Sequence, residues 1–201
     1  YEFEKHHASI DFIGGTGREK RNRLFEAVAA REGLTEIPIT YYEFGVAGGA
    51  SFAWWVEANK NAESVFRGFD SFEGLPEDWV GAGHERGAFS RGGATPEIDD
   101  PRAAFVKGLF HETLPDNLGE LQAARRRVIH MDADLYRSTI YPLMVIGPYL
   151  NAGDVVIFDE YSDSANEFRA FEDFCSIFGV KGRLIAATQE FAQAAFVLAP
   201  A

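Results

Sequence analysis

The sequence predicts an α/β fold in which helices alternate with the strands of a mostly parallel sheet. Short runs rich in β-branched and aromatic residues occupy positions 39–44, 65–70, 127–132 and 154–159. Stretches with helical apolar spacing occupy 18–31, 51–58, 138–150 and 164–178. Parallel strands need long crossover connections, so this alternation implies a sheet covered on both faces. The closing segments RLIAAT and QAAFVLA lie close enough in the chain to form an antiparallel hairpin at one sheet edge.

Each element has its own local reason. In 18–31, Leu24, Phe25 and Val28 recur among charges and Gly33 follows as a stop, so residues 1–38 are read as an N-terminal helical segment. Pro38 then precedes Ile39, Thr40, Tyr41, Tyr42, Glu43 and Phe44, a strand that ends at the glycine-rich turn GVAGGAS. The helix from Ser51, carrying Phe52, Trp55 and Val56, points its N-terminus back at those glycines. The strands VFRGFD, RVIHMD and DVVIFD each end in an aspartate. Residues 77–101 break the rhythm with glycines and charges and are read as a lid loop, because structureless segments of that length inside a domain usually cover a site.

Composition narrows the function. With 201 residues, and about 150 residues per domain as a prior, the chain is expected to form one domain. Lys and Arg number 19 against 31 Asp and Glu, a net charge of −12 that would repel nucleic acid or an anionic membrane. No nucleic acid and no membrane partner is therefore expected; a small molecule or another protein is. Cys175 is the only cysteine, which excludes an intrachain disulfide and a cysteine-rich zinc site and suits a reducing compartment. No window approaches 18 apolar residues and the first dozen residues lack a signal-peptide pattern, so a soluble, cytoplasmic protein is expected.

Two clusters carry chemistry. In Glu43-Phe-Gly45-Val-Ala-Gly48-Gly49-Ala-Ser51, glycines after a buried strand let the backbone approach a ligand, and the next helix offers unpaired amides. The spacing departs from the GxGxxG of dinucleotide folds, which disfavours an oxidoreductase, and Glu43 suits a cationic or amine group. Asp70 at the end of its strand can accept both ribose hydroxyls of a nucleoside; the plainer alternative is that it caps a turn. In HMDADLY and IFDEY, Asp132, Asp134, Asp159 and Glu160 leave two strand ends, which lie about 5 Å apart if the strands are neighbours. Such carboxylates either shift their pKa values or hold a hard cation, Mg²⁺ or Ca²⁺, unless they form only a solvated acidic rim. His130 is read as a core histidine, and the phenylalanine stripe of 168–178 as core or a homo-oligomer interface.

Four blocks, EFGVAGGAS, GFDSFEGLPEDW, GLFHETLP, and HMDADLYRST with LNAGDVVIFDEY, span about residues 41–161 and resemble the macrocin O-methyltransferase (TylF/MycF-like) family of S-adenosylmethionine-dependent methyltransferases. The resemblance implies a Rossmann-like three-layer fold with a seven-stranded sheet and an antiparallel last strand. It implies S-adenosylmethionine and Mg²⁺ as cofactors and a hydroxylated small-molecule acceptor, such as a sugar of a natural product. Glu43, Gly45, Gly49 and Ser51 would surround the methionine half of the cofactor, Asp70 the ribose, and Ser71 and Phe72 the adenine. Asp132, Asp159 and Glu160 would hold the metal, with Asp-Glu here where the family usually shows Asp-Asp. The expected reaction is in-line attack of the acceptor hydroxyl on the sulfonium methyl, with His84 or Asp134 taking the proton. A methyltransferase-like binding protein without catalysis is the competing reading.

Overall fold

A computed structural model describes residues 10–200. In chain order the elements are β1 (Asp11–Ile13), α1 (Gly17–Glu32), β2 (Ile39–Phe44), α2 (Ala50–Ala58), β3 (Val65–Asp70), β4 (Ala103–Lys107), α3 (Phe110–Thr113), β5 (Arg126–Met131), α4 (Tyr136–Ile146), β6 (Val155–Phe158), α5 (Glu167–Phe178), β7 (Val180–Thr188) and β8 (Ala194–Pro200). They build an eight-stranded sheet of order β1-β7-β8-β6-β5-β2-β3-β4. All pairings are parallel except those of β8, which runs antiparallel to both β6 and β7. The α/β class and the antiparallel last strand match the sequence reading.

Three expectations are corrected. The sheet has eight strands rather than seven, and the described part of the N-terminal segment read as helical carries a strand ahead of its helix. Asp11–Ile13 pairs with Ala186, Ala187 and Thr188, so the hairpin of β7 and β8 is not the sheet edge. Three residues carry too little periodicity to announce a strand; hydrogen bonding to a ready-made neighbour forms it. Residues 1–9 of that segment lie outside the described residues.

The two faces of the sheet follow from side-chain alternation along strands. In β2, Ile39 and Tyr41 enter one core with Leu24, Phe25 and Val28 of α1 and Phe52 and Trp55 of α2. Tyr42 and Phe44 enter the other with Leu143 and Ile146 of α4 and Phe171 and Phe174 of α5. Every residue of β2 is buried, as expected for a parallel strand covered on both sides. The phenylalanine stripe of α5 thus spends Phe171 and Phe174 on the core, while Phe168 and Ile177 face outward. Helix α1 stops where Gly33 takes φ 65° and donates its N–H to the Ala29 carbonyl.

Register brings the candidate site residues together. Phe44 pairs with Met131 and with Phe69, and Met131 pairs with Phe158. The residues that leave the sheet on one side are therefore Asp70, Gly45, Asp132 and Asp159, stitched by Gly45 N–H to Phe69 O, Asp132 N–H to Phe44 O and Asp159 N–H to Met131 O. Residues 77–101 contain no helix or named strand; an isolated bridge joins Trp79 to His84. Among the described residues no helix is long and apolar enough to cross a membrane.

Candidate active site

The glycine turn after β2 is built by close approach. A Cβ on Gly45 would lie 1.8 Å from the Asp132 carbonyl oxygen, and its φ is 88°, so only glycine fits. The Asp70 carboxylate spans the turn: one oxygen accepts the N–H groups of Val46 and Ala47 at 2.8 Å, the other that of Phe72 at 2.7 Å. Asp70 does cap a turn, and it also lines two adjoining cavities. Ala47, Phe72 and Asp134 all adopt positive φ without being glycine, at 47°, 57° and 63°. Backbone strain of this kind collects where geometry is held for function.

The first cavity, about 530 Å³, runs past Gly45, Asp70 and Ser71 to Leu109, Phe110, His111 and Tyr141. Its aromatic and aliphatic end could take a flat heterocycle. The second, about 630 Å³, is lined by Arg21, Trp79, His84, Asp132, Asp134, Asp159 and Glu160 among others. His84 stacks edge-on against Phe89 at 4.8 Å. Trp79 donates its indole N–H to Asp163 at 2.9 Å.

The acidic centre lies at the floor of the second cavity. Ligand atoms of His130, Asp132 and Asp159 fall within 4.8 Å of one another, a spacing that suits one cation. Among the described residues, Asp159 Oδ1 and His130 Nε2 find no hydrogen-bond partner although both are buried. Arg21 Nη1 bridges the aspartates, at 3.0 Å from Asp132 Oδ2 and 3.1 Å from Asp159 Oδ2. Seclusion from water and the neighbouring Asp159 carboxylate push the Asp132 carboxyl well above its ordinary value. Burial, then the Glu160 and Asp159 charges, raise Asp134 to about 7. Burial and Asp159 raise Glu160 to about 7.

One side chain fastens both acidic loops. Glu167, at the start of α5 and fully buried, accepts Ala133 N–H at 3.3 Å through one oxygen and Glu160 N–H at 2.9 Å through the other.

Gly45, Asp70, Ser71, His84, Asp132, Asp134, Asp159 and Glu160 all reach the two cavities. Glu43, Gly49, Ser51 and Phe72 line neither. Glu43 is buried beneath the turn, where it accepts the Tyr41 hydroxyl and faces His130 Nδ1 at 3.4 Å. Ser51 and Phe72 are buried, and Gly49 packs against Pro96 of the long loop. Tyr136 and Tyr161, which flank the acidic motifs in sequence, point elsewhere: Tyr136 donates to Asp173, and Tyr161 packs among Phe158, Phe168 and Phe196. Sequence reasoning missed Arg21 and Glu167 as parts of the centre and read His130 only as core. Each gains its place through packing between distant elements.

A cavity of about 530 Å³ thus adjoins an acidic centre at the strand ends of a mostly parallel sheet with an antiparallel last strand. The profile of the Macrocin-O-methyltransferase (TylF) family matches residues 86–190, and the chain belongs to that family. It is 33% identical over 127 residues to the 8-demethyl-8-(2,3-dimethoxy-alpha-L-rhamnosyl)-tetracenomycin-C 4'-O-methyltransferase of Streptomyces olivaceus, a match that takes in 50% of this chain and 45% of the relative. The match thus spans less than half of that relative's length. The fold is that of the calicheamicin methyltransferase CalS11, with a TM-score of 0.68 at 24% identity over 90% of this chain and 80% of the other. It is also that of the O-methyltransferase NovP, with a TM-score of 0.60 at 21% identity over 89% of this chain and 78% of the other.

Proposed function

We propose that the chain is an S-adenosylmethionine-dependent O-methyltransferase that methylates a hydroxyl of a small molecule, a sugar carried by a natural product, with a divalent cation at its acidic centre. The observation that carries this reading is the adjacency of the two cavities: Gly45 and Asp70 line both, so a cofactor in one would present its methyl group toward an acceptor in the other. The relative from Streptomyces olivaceus is named for methylation of a rhamnosyl compound, which supports a glycosyl acceptor.

S-adenosylmethionine supplies an activated methyl group, and a hard cation such as Mg²⁺ supplies Lewis acidity toward the acceptor hydroxyl. The donor set fits such an ion: carboxylate oxygens of Asp132 and Asp159, one of them without a partner, with the His130 nitrogen alongside. Glu160 stands in the same cavity as a further candidate ligand. Asp70 and Ser71 would orient the nucleoside, its adenine entering between Leu109, Phe110 and Tyr141. Asp134, on the wall between the acidic centre and the turn, and His84, on the long loop, are the groups that could take the hydroxyl proton. Trp79, Leu75 and Phe89 would exclude water from the reacting atoms.

Calorimetric titration with S-adenosylhomocysteine, with and without Mg²⁺, tests the reading on wild type, Asp70→Ala and Asp159→Ala. Cofactor binding lost in Asp70→Ala and Mg²⁺ binding lost in Asp159→Ala are expected. Cofactor binding with no Mg²⁺ affinity in any variant would favour a binding protein or a metal-independent enzyme. No cofactor binding at all would overturn the methyltransferase reading.

A further inference from the structure

Arg21 holds a position that sequence reading did not anticipate. One of its nitrogens, Nη1, contacts both Asp132 Oδ2 and Asp159 Oδ2, at 3.0 and 3.1 Å. Arginine usually grips one carboxylate with two nitrogens in a fork. Here a single nitrogen sits between two carboxylates, as a small cation would. We infer that Arg21 is a built-in cation of the acidic centre, which pairs Asp132 with Asp159 when no divalent ion is bound and competes with that ion for the same two oxygens. The inference rests on the metal reading above.

Three physical points support it. Two like charges whose oxygens both lie about 3 Å from one point repel strongly unless a positive charge stands between them. Arg21 supplies one positive charge between the two carboxylates, where a divalent ion would supply two. A guanidinium also cannot use every donor present. It leaves Asp159 Oδ1 and His130 Nε2 unsatisfied, although both residues are buried. A divalent ion accepts lone pairs from several directions and could engage these atoms. Finally, the two cations exclude each other, because both need the space between the Oδ2 atoms. The side chain can yield: Arg21 projects from α1 on a flexible stem and remains partly exposed, at 22%. The affinity of the centre for metal is then set by the cost of moving Arg21 aside.

The test uses Mn²⁺ as the probe, its binding followed by electron paramagnetic resonance and calorimetry at one fixed neutral pH. Wild type, Arg21→Gln, Arg21→Lys and Asp159→Asn are compared, with circular dichroism as the check on folding. Arg21→Gln is expected to bind Mn²⁺ at least about tenfold more tightly than wild type, because a competing positive charge is gone. Arg21→Lys keeps the charge and stays near wild type. Binding by Arg21→Gln when wild type shows none supports the inference at its limit. Unchanged or weaker binding by a folded Arg21→Gln, with binding lost in Asp159→Asn, overturns the role of Arg21 and leaves the metal reading standing. No Mn²⁺ binding by any of the four overturns the metal reading and this inference with it.

Discussion

Acidification from about pH 8 to about pH 5 should stabilise the metal-free chain, the reverse of ordinary acid denaturation. Asp134 rises from 3.8 to about 7 and Glu160 from 4.5 to about 7. A carboxyl whose pKa is higher in the native state binds more protons there than in the unfolded chain. Its stabilising contribution is complete below the unfolded value and is lost as pH climbs through about 7. At about 1.4 kcal/mol per unit, the window from pH 8 to 5 would yield about 2.5 kcal/mol for each group, and partial contact with water reduces the pair to about 2 kcal/mol. For a chain of this size that is about 4–8 °C in Tm. Asp132 and Glu167, also raised by burial, act in the same direction. Asp100, Asp163 and Glu190 are lowered by their hydrogen-bonding partners, so their contribution is lost only below their unfolded values, outside this window. The assay is calorimetric melting in chelator across that range, on wild type and on the double variant Asp134→Asn, Glu160→Gln. The double variant should lose most of the slope and melt above wild type at pH 8. A wild-type Tm that falls toward pH 5, or a double variant with an unchanged slope, would refute the electrostatic account of the centre.

Two further outcomes follow from the geometry. Gly45→Ala forces a Cβ to within 1.8 Å of the Asp132 carbonyl oxygen at φ 88°, so the strand ends must part. A stability loss of about 3 kcal/mol or more by urea unfolding, together with lost S-adenosylhomocysteine binding, is expected; unimpaired binding would show that the turn does not shape the cofactor cavity. Glu167→Gln has one oxygen where two N–H groups, of Ala133 and Glu160, need an acceptor. It should cost about 1–3 kcal/mol and weaken metal binding by loosening both acidic loops. Equal stability of Gln and Glu at this position would refute the double-acceptor role.

What the sequence made visible depended on how local the cause was. β2 and β3 were readable to the residue because Ile39–Phe44 and Val65–Asp70 are apolar runs closed by glycine or a turn. β4, the five residues AAFVK just past the end of the long loop, went unassigned, since its identity comes from pairing with β3. The aspartates at strand ends could be read as a cluster because parallel register brings such ends together. Arg21 could not, since it reaches Asp132 across 111 positions of sequence and only tertiary packing brings the two together. Glu43 shows the limit of adjacency: it adjoins the glycine turn in sequence, and strand alternation turns it toward Tyr41 and His130, outside the lining of both cavities.

Helix α1 performs two tasks at opposite ends. Its last turn carries Arg31, whose guanidinium donates to the Ile185 carbonyl, just before the stretch of β7 that pairs with β1. Its first turns carry Arg21 into the acidic centre. A shift of the whole helix would therefore withdraw Arg21 and break the contact with β7 together. Rotation of the Arg21 side chain alone frees the aspartates and leaves that contact in place, at the cost of a few torsions. The helix can stay in place as a rigid bracket, and the gain or loss of a cation at the centre need not disturb its seat on the sheet.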